Sequence, residues 1–394
     1  DDVAMPKTKK RKLGKAPSRE EVAGFRETSD LFRSNLFRLQ TAELLREVRP
    51  AHGEALRPLE GAIRALREAL LGVPAAELAY ASGKKAPRVS HPELAALRLH
   101  GASVQLAFEA PAAIDLVGSY LLRTAARPAL NVDLAVQIPS ACLLEKDYLD
   151  HRYADKRQLY LAHLGATLVA GGHVRAARFT TLGAAGGDPG WPVLACELGG
   201  DENGGAAVRG WEVRLIPSLA ADAFDAAKLK PRRRNLRGGG ADGDGGGGGA
   251  SGAYNNLLRL EGAPTAALRL LHSHLARDAS GALREAIVML KVWARQRGGG
   301  GGGGDEGGGV GGFELSLLIV HLLATRRVTH QMGAYHVLRV ALAYLAETDL
   351  GAKPIVLPPA ADADADADIG DDDDVAAERG DAAAAAAEGA AELS

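Results

Sequence analysis

From Asn131 to Ile138 the chain alternates: Val132, Leu134, Val136 and Ile138 are apolar, with Asn131 and Asp133 set between them. A period of two belongs to a strand with one face in a core and the other outside it. Asn131 and Asp133 therefore project side by side from the uncovered face. Upstream, the apolar run Ile114, Leu116, Val117 ends in Gly118-Ser119, and eleven residues, Tyr120 to Leu130, separate this turn from the alternating strand. Strand, tight turn, short helix and strand make one β-α-β unit, and the rest of the chain has to be arranged around it.

The arrangement resembles the core of the nucleotidyltransferase superfamily, in which a Gly-Ser turn is followed about a dozen residues later by two carboxylates at i and i+2. Glycine lets backbone approach a triphosphate, and the serine hydroxyl and turn amides donate to phosphate oxygens. Two acids on one strand face hold paired divalent ions that clamp the attacking and leaving oxygens. Here Asn131 stands at the first acid position and only Asp133 remains. At an effective dielectric of 20, each lost ion–carboxylate contact near 4 Å forfeits roughly 4 kcal/mol per unit of metal charge. Gly118, Ser119, Asn131 and Asp133 thus read as a vestigial nucleotide and metal site, with no catalytic residue, metal or cofactor expected. In the later strand Trp211–Leu219, Glu212 and Arg214 share one face, and sequence does not say which of them meets the site. An arginine there would oppose metal binding.

The formal net charge of −2 decides nothing about partners, but its distribution does. Lys7, Lys9, Lys10, Arg11, Lys12 and Lys15 make the N-terminus basic, and Asp362–Asp374 is acidic. Such charge blocks are normally solvated tails, and the basic run also reads as a nuclear address or a nucleic-acid patch. Two cysteines, Cys142 and Cys196, give neither a disulfide framework nor a zinc pattern. No apolar segment follows the basic N-terminus and no run of eighteen apolar residues occurs, so neither a secretory leader nor a membrane span is expected.

Length predicts two or three domains, and composition places them. Residues 1–24 read as a disordered basic tail. Residues 25–235 form an α+β domain: amphipathic helices over 28–49 and 54–71, strands over 102–117, and a long helix over 141–170. Strands over 173–180, 191–198 and 211–219 complete it. In the long helix Tyr153, Tyr160, Leu164 and Leu168 form an inward stripe, and Arg152, Lys156 and Arg157 form a basic side. Lys230-Pro231-Arg232-Arg233-Arg234-Asn235 is a basic loop before a Gly-rich insert, 236–252. A helical domain over 253–350 follows, interrupted by a second Gly-rich insert at 298–312. Its helix ending in Arg295-Gln296-Arg297 is well placed for its dipole. Residues 351–394 read as a disordered Ala/Asp-rich tail.

Three stretches carry a more specific resemblance: N-V-D-L-A-V-Q-I-P, L-E-K-D-Y-L-D-H-R-Y-A-D-K-R-Q-L-Y-L-A and K-V-W-A-R-Q-R-G. With F-R-S-N-L-F-R-L-Q and Y-N-N at Tyr254–Asn256, they look like the nucleolar RNA-associated protein (Nrap) family, also called nucleolar protein six, over roughly residues 28–350. The resemblance implies a nucleotidyltransferase-like mixed sheet with flanking helices, then an all-helical domain of the poly(A) polymerase/oligoadenylate synthetase type. It implies a catalytically silent component of the small-subunit processome in the nucleolus of the nucleus, acting in pre-rRNA processing as a ribonucleoprotein scaffold. The implied partners are pre-rRNA or small nucleolar RNA and other processome proteins, with no membrane. Lys9, Lys10, Arg11, Lys12, Arg152, Lys156, Arg157, Arg232, Arg233 and Arg234 are the candidate RNA contacts. Family members are longer and repeat this module, so a single copy before an Ala/Asp tail is expected of a truncated gene model or a fragment. The opposing expectation is an active, metal-dependent nucleotidyltransferase of the poly(A) polymerase type, resting on Gly118-Ser119 and Asp133.

Overall fold

The computed structural model describes residues 35–36, 38–50, 53–81, 97, 99–182, 191–199, 208, 210–237, 247–262, 264–297, 310–350, 352 and 354–357. Lys9, Lys10, Arg11 and Lys12 lie outside the described residues, as does the acidic run 362–374. The chain divides into Asp1–Glu47 and Val48–Ser394. In the first unit, residues 38–47 are helical. All that follows concerns the second.

Helix α1, Arg57–Leu71, buries Leu59, Ile63, Leu66 and Leu70, the i, i+4, i+7 pattern of an amphipathic helix. Strands β1 (Ala76–Ala81) and β2 (Ser103–Phe108) pair antiparallel as a separate two-stranded sheet. The main sheet contains β3 (Ala113–Val117), β4 (Leu130–Gln137), β5 (Val174–Thr180), β6 (Val193–Leu198) and β7 (Trp211–Ser218), in the order β3-β4-β7-β6-β5. Among the described residues, only the β4–β7 pair is parallel. Between β3 and β4 the expected short helix is a single turn, Gly118–Leu121. The expected alternation on β4 is realised: Val132, Leu134 and Val136 are buried, and Asn131 and Asp133 are half-buried on the other face.

The long helix expected over 141–170 begins only at Arg152 (α2, Arg152–Ala170). Two features break its front half. Asp147 turns its carboxylate back to accept from the Leu144 amide at 2.7 Å, and Asp150 and His151 take positive φ values of 52° and 59°. Tyr153, Tyr160, Leu164 and Leu168 are fully buried, as the stripe predicted. Both cysteines are buried and unpaired.

A second core follows. It is built from α4 (Pro264–Ala276), α5 (Ala282–Gln296), α6 (Gly312–Ala324) and α7 (Ala334–Glu347), around Leu283, Ile287, Leu290, Leu315, Leu322 and Val337. Helix α3, Gly247–Glu261, starts inside the glycine run expected as a linker. Its Tyr254 and Leu258 pack into the sheet's core rather than the helical one. The two cores therefore change over after residue 261, later than the expected 253.

Candidate functional site

Gly118 has φ +76°, a conformation that disfavours any side chain. A Cβ there would also fall inside contact distance of Asp133 Oδ2 and 3.1 Å from its Cγ. The register explains the approach, since Val117 stands opposite Asp133. The turn and the strand acid thus come together as the sequence suggested, with Ser119 one residue on and half-buried.

What surrounds Asp133 was only partly legible. The Asn131 amide donates to Asp133 Oδ1 at 2.7 Å. On the parallel neighbour β7, Glu212 stands beside Asn131 and Arg214 beside Asp133. Both β7 residues share the site face. Arg214 Nε donates to Glu212 Oε1 at 2.9 Å, and Arg178, reaching from β5, takes Glu212 Oε2. One row across the sheet reads Val117, Asp133, Arg214, Ala195, Arg178.

Two further cations arrive from α5. Lys291 Nζ donates to the Thr124 carbonyl at 3.0 Å and to its hydroxyl at 3.1 Å, and Arg295 donates to the Ala126 carbonyl at 2.9 Å. These carbonyls belong to the loop that leaves the Gly-Ser turn. Sequence reasoning treated Arg295 as a helix cap and did not single out Lys291. Their targets lie some 170 residues upstream, a separation that carries no local signal.

Burial pushes the Asp133 carboxyl up, opposed by Arg214, the Asn131 hydrogen bond and Lys291. Burial also lowers Lys291, which falls to about 8; Arg295 adds to the drop and Asp133 resists it. The balance of the site is cationic: Asp133 and Glu212 face Arg214, Arg178, Lys291 and Arg295.

This donor set does not fit a pair of divalent ions. Glu212 has each oxygen committed to an arginine, Asp133 Oδ1 receives an amide N–H, and the neighbouring in-register side chain is a guanidinium. Among the described residues no group of three or more His, Cys, Asp or Glu is arranged to hold a metal ion, and no helix is long and apolar enough to cross a membrane.

The candidate RNA contacts separate into two sets. Arg152, Arg232, Arg233 and Arg234 are exposed. Lys156 and Arg157 are not surface cations and must be withdrawn. Arg157 is 1% exposed, pairing with Glu261 at 2.6 Å and donating to the Pro192 carbonyl. Lys156 is mostly buried, held by Asp147 at 2.7 Å and the Cys142 carbonyl at 3.1 Å. Of the basic side expected on α2, Lys156 and Arg157 are covered by the neighbours that pair with them, and Arg152 at the first position stays exposed.

Sheet, turn and helical half together define a mixed α+β protein with a charge-closed site on its sheet. Residues 74–277 match the family model described as Nrap protein domain 1, and residues 282–377 match Nrap protein PAP/OAS-like domain. The chain belongs to the Nrap family. It is 33% identical over 347 residues to Nucleolar protein 6 of Mus musculus, covering 86% of this chain and 28% of that one. It is also 33% identical over 363 residues to Nucleolar protein 6 of Homo sapiens, covering 89% and 30%, and 32% identical over 376 residues to that of Xenopus laevis, covering 92% and 31%. The chain thus spans under a third of the length of these relatives.

Proposed function

We propose that the chain is a nucleotidyltransferase-like scaffold without transferase activity, working in the nucleolus in assembly of the small ribosomal subunit. In this role it holds pre-rRNA or small nucleolar RNA together with other proteins of the small-subunit processome. The names of the Nrap relatives support the nucleolar setting. The mixed sheet, the Gly118-Ser119 turn against Asp133, and a second half that matches a PAP/OAS-like family model support the fold reading.

The observation that carries the loss of chemistry is Arg214 standing in register with Asp133. A guanidinium stands in register beside the carboxylate where a transferase would gather metal charge, and Asn131 supplies an N–H where a second carboxylate would supply an oxygen. Phosphoryl transfer needs ions free to bridge both reacting oxygens, and neither residue provides for them.

The test is incorporation of labelled nucleotide from each of the four ribonucleoside triphosphates into RNA primers, in Mg²⁺ and in Mn²⁺. No incorporation above a protein-free blank is expected. Incorporation that disappears in Asp133→Ala would establish the active-transferase reading instead.

A further inference from the structure

Residues 228–237 carry six exposed cations, Lys228, Lys230, Arg232, Arg233, Arg234 and Arg237. Of these, Arg237 faces Asp150 at 3.6 Å. The other five have no acidic partner within ion-pair distance among the described residues.

The loop beneath those charges is held from below. Asn255, fully buried on α3, donates its amide to the Lys230 and Arg233 carbonyls, both at 2.9 Å. Its Oδ1 accepts from Asn235, which also donates to the Lys228 carbonyl at 2.9 Å. The Ser251 hydroxyl accepts from the Leu236 amide, and Asp150 Oδ1 from the Arg237 amide at 2.7 Å. Gly252 lets α3 come so close that a Cβ would lie 3.1 Å from the Pro231 carbonyl oxygen. Backbone groups of the loop are thereby satisfied from inside, while its cationic side chains stay outside.

We infer that this anchored loop is a docking surface for the phosphate backbone of RNA, binding without regard to base sequence. Three consecutive arginines present planar guanidinium forks that match phosphate oxygens. Residues 225–237 contain no aromatic side chain on which a base could stack, so phosphate rather than base is contacted. A fixed backbone lowers the ordering cost of binding. The surface takes only the choice of RNA from the scaffold reading above; its geometry is independent of the transferase question.

The test uses the full chain with 20-nucleotide oligo-U and oligo-A RNAs, titrated by fluorescence anisotropy at several salt concentrations. The two RNAs should bind alike. Replacing Arg232, Arg233 and Arg234 together by Gln should flatten the slope of log affinity against log salt by about 2, at roughly 0.7 per single-strand phosphate. The same relation gives a loss of about 100-fold at 0.1 M salt. Asn255→Ala keeps every charge but frees the loop. It should leave the slope unchanged and weaken binding by about tenfold, the cost of ordering one or two long side chains. Wild-type RNA binding with an unchanged slope in the triple variant overturns this surface and leaves the scaffold reading standing. A wild-type chain with no affinity for either RNA removes both. Displacement of RNA by an equal charge of oligoglutamate would instead assign the loop to an acidic peptide, and would also overturn the proposal.

Discussion

Glu261 and Asp133 are both carboxylates set beside an arginine in the same compact unit, and their surroundings differ in one respect that decides their roles. Glu261 is closed in by three side chains, two from α2 and one from the segment before β6: Arg157 Nε at 2.6 Å, the Tyr153 hydroxyl and the Trp191 indole N–H at 2.6 Å. Burial raises its carboxyl above the usual range, and Arg157 and Tyr153 pull it back. Asp133 receives one short side-chain donor, Asn131, and feels Arg214 and Lys291 through space. The first cluster fastens α3 and the segment leading into β6 to α2. The second is a half-buried polar surface on which cations outnumber the two acids. On the reading proposed above, one is a pin and the other a plugged site, and substitutions should tell them apart.

The largest effect belongs to the pin. Arg157→Met leaves Glu261 buried without its cation, a situation that costs about 3–5 kcal/mol. Urea unfolding of the variant should show that loss. Replacing Glu261 by Leu in the same chain should return most of it, because the uncompensated charge is gone. A loss below about 1 kcal/mol for Arg157→Met would mean the cluster is wet, and the contrast with Asp133 would vanish.

The next effect reopens the plug. In the double variant Asn131→Asp with Arg214→Ser, two acids share the strand face and the guanidinium is gone. Calorimetry should detect Mn²⁺ binding in the millimolar range or tighter, about 4 kcal/mol of affinity or more, where the parent chain takes up none. Arg178 still neutralises Glu212 in this variant, so the gained ion has to be held by residues 131 and 133. No binding in a folded double variant would show that something other than charge closes the site.

These two regions were unequally legible in the sequence, for a physical reason. Asn131 and Asp133 were placed correctly because a period of two assigns faces within eight residues, and the Gly-Ser turn is a local feature. Arg157 was misplaced because its partner is 104 residues away and its helix neighbours Lys156 and Arg152 look just as basic. Its burial is a tertiary fact. The early break in the helix at Asp150-His151 was missed for a related reason, since neither residue is a helix breaker by type. β1 escaped notice because A-E-L-A-Y-A is too short and too rich in alanine to alternate clearly. Arg214 was recognised as hostile to metal, but its seat beside Asp133 needed the parallel register of β4 and β7.

Lys291 gives a pH-dependent measure of how dry the site edge is. Its folded value of about 8 lies below an ordinary 10.5. Between those values the unfolded chain carries a proton that the folded chain gives up, so stability rises with pH across that window. The rise is at most about 3 kcal/mol, and below about pH 8 the group contributes no slope. Lys291→Met should remove the rise, so the variant's urea midpoint relative to the parent should fall between pH 8 and pH 10. A slope that survives the substitution would place the edge in water.

The smallest effect is the most discriminating. Arg178 is half exposed and is one of two arginines on Glu212. Exposed pairs contribute about 0–1 kcal/mol, and Arg214 at 2.9 Å remains when Arg178 is removed. Arg178→Ala should therefore cost less than about 1 kcal/mol, with urea slopes unchanged. Arg157 loses several times as much for the same change of side-chain charge, because among the described residues no second cation pairs with Glu261 and its side chain is only 8% exposed. If Arg178→Ala instead cost about 3 kcal/mol, the Glu212 pair would be as dry as the Glu261 pin. Arg214 would then be a folding element first, and its opposition to metal only a consequence of where the sheet needed it.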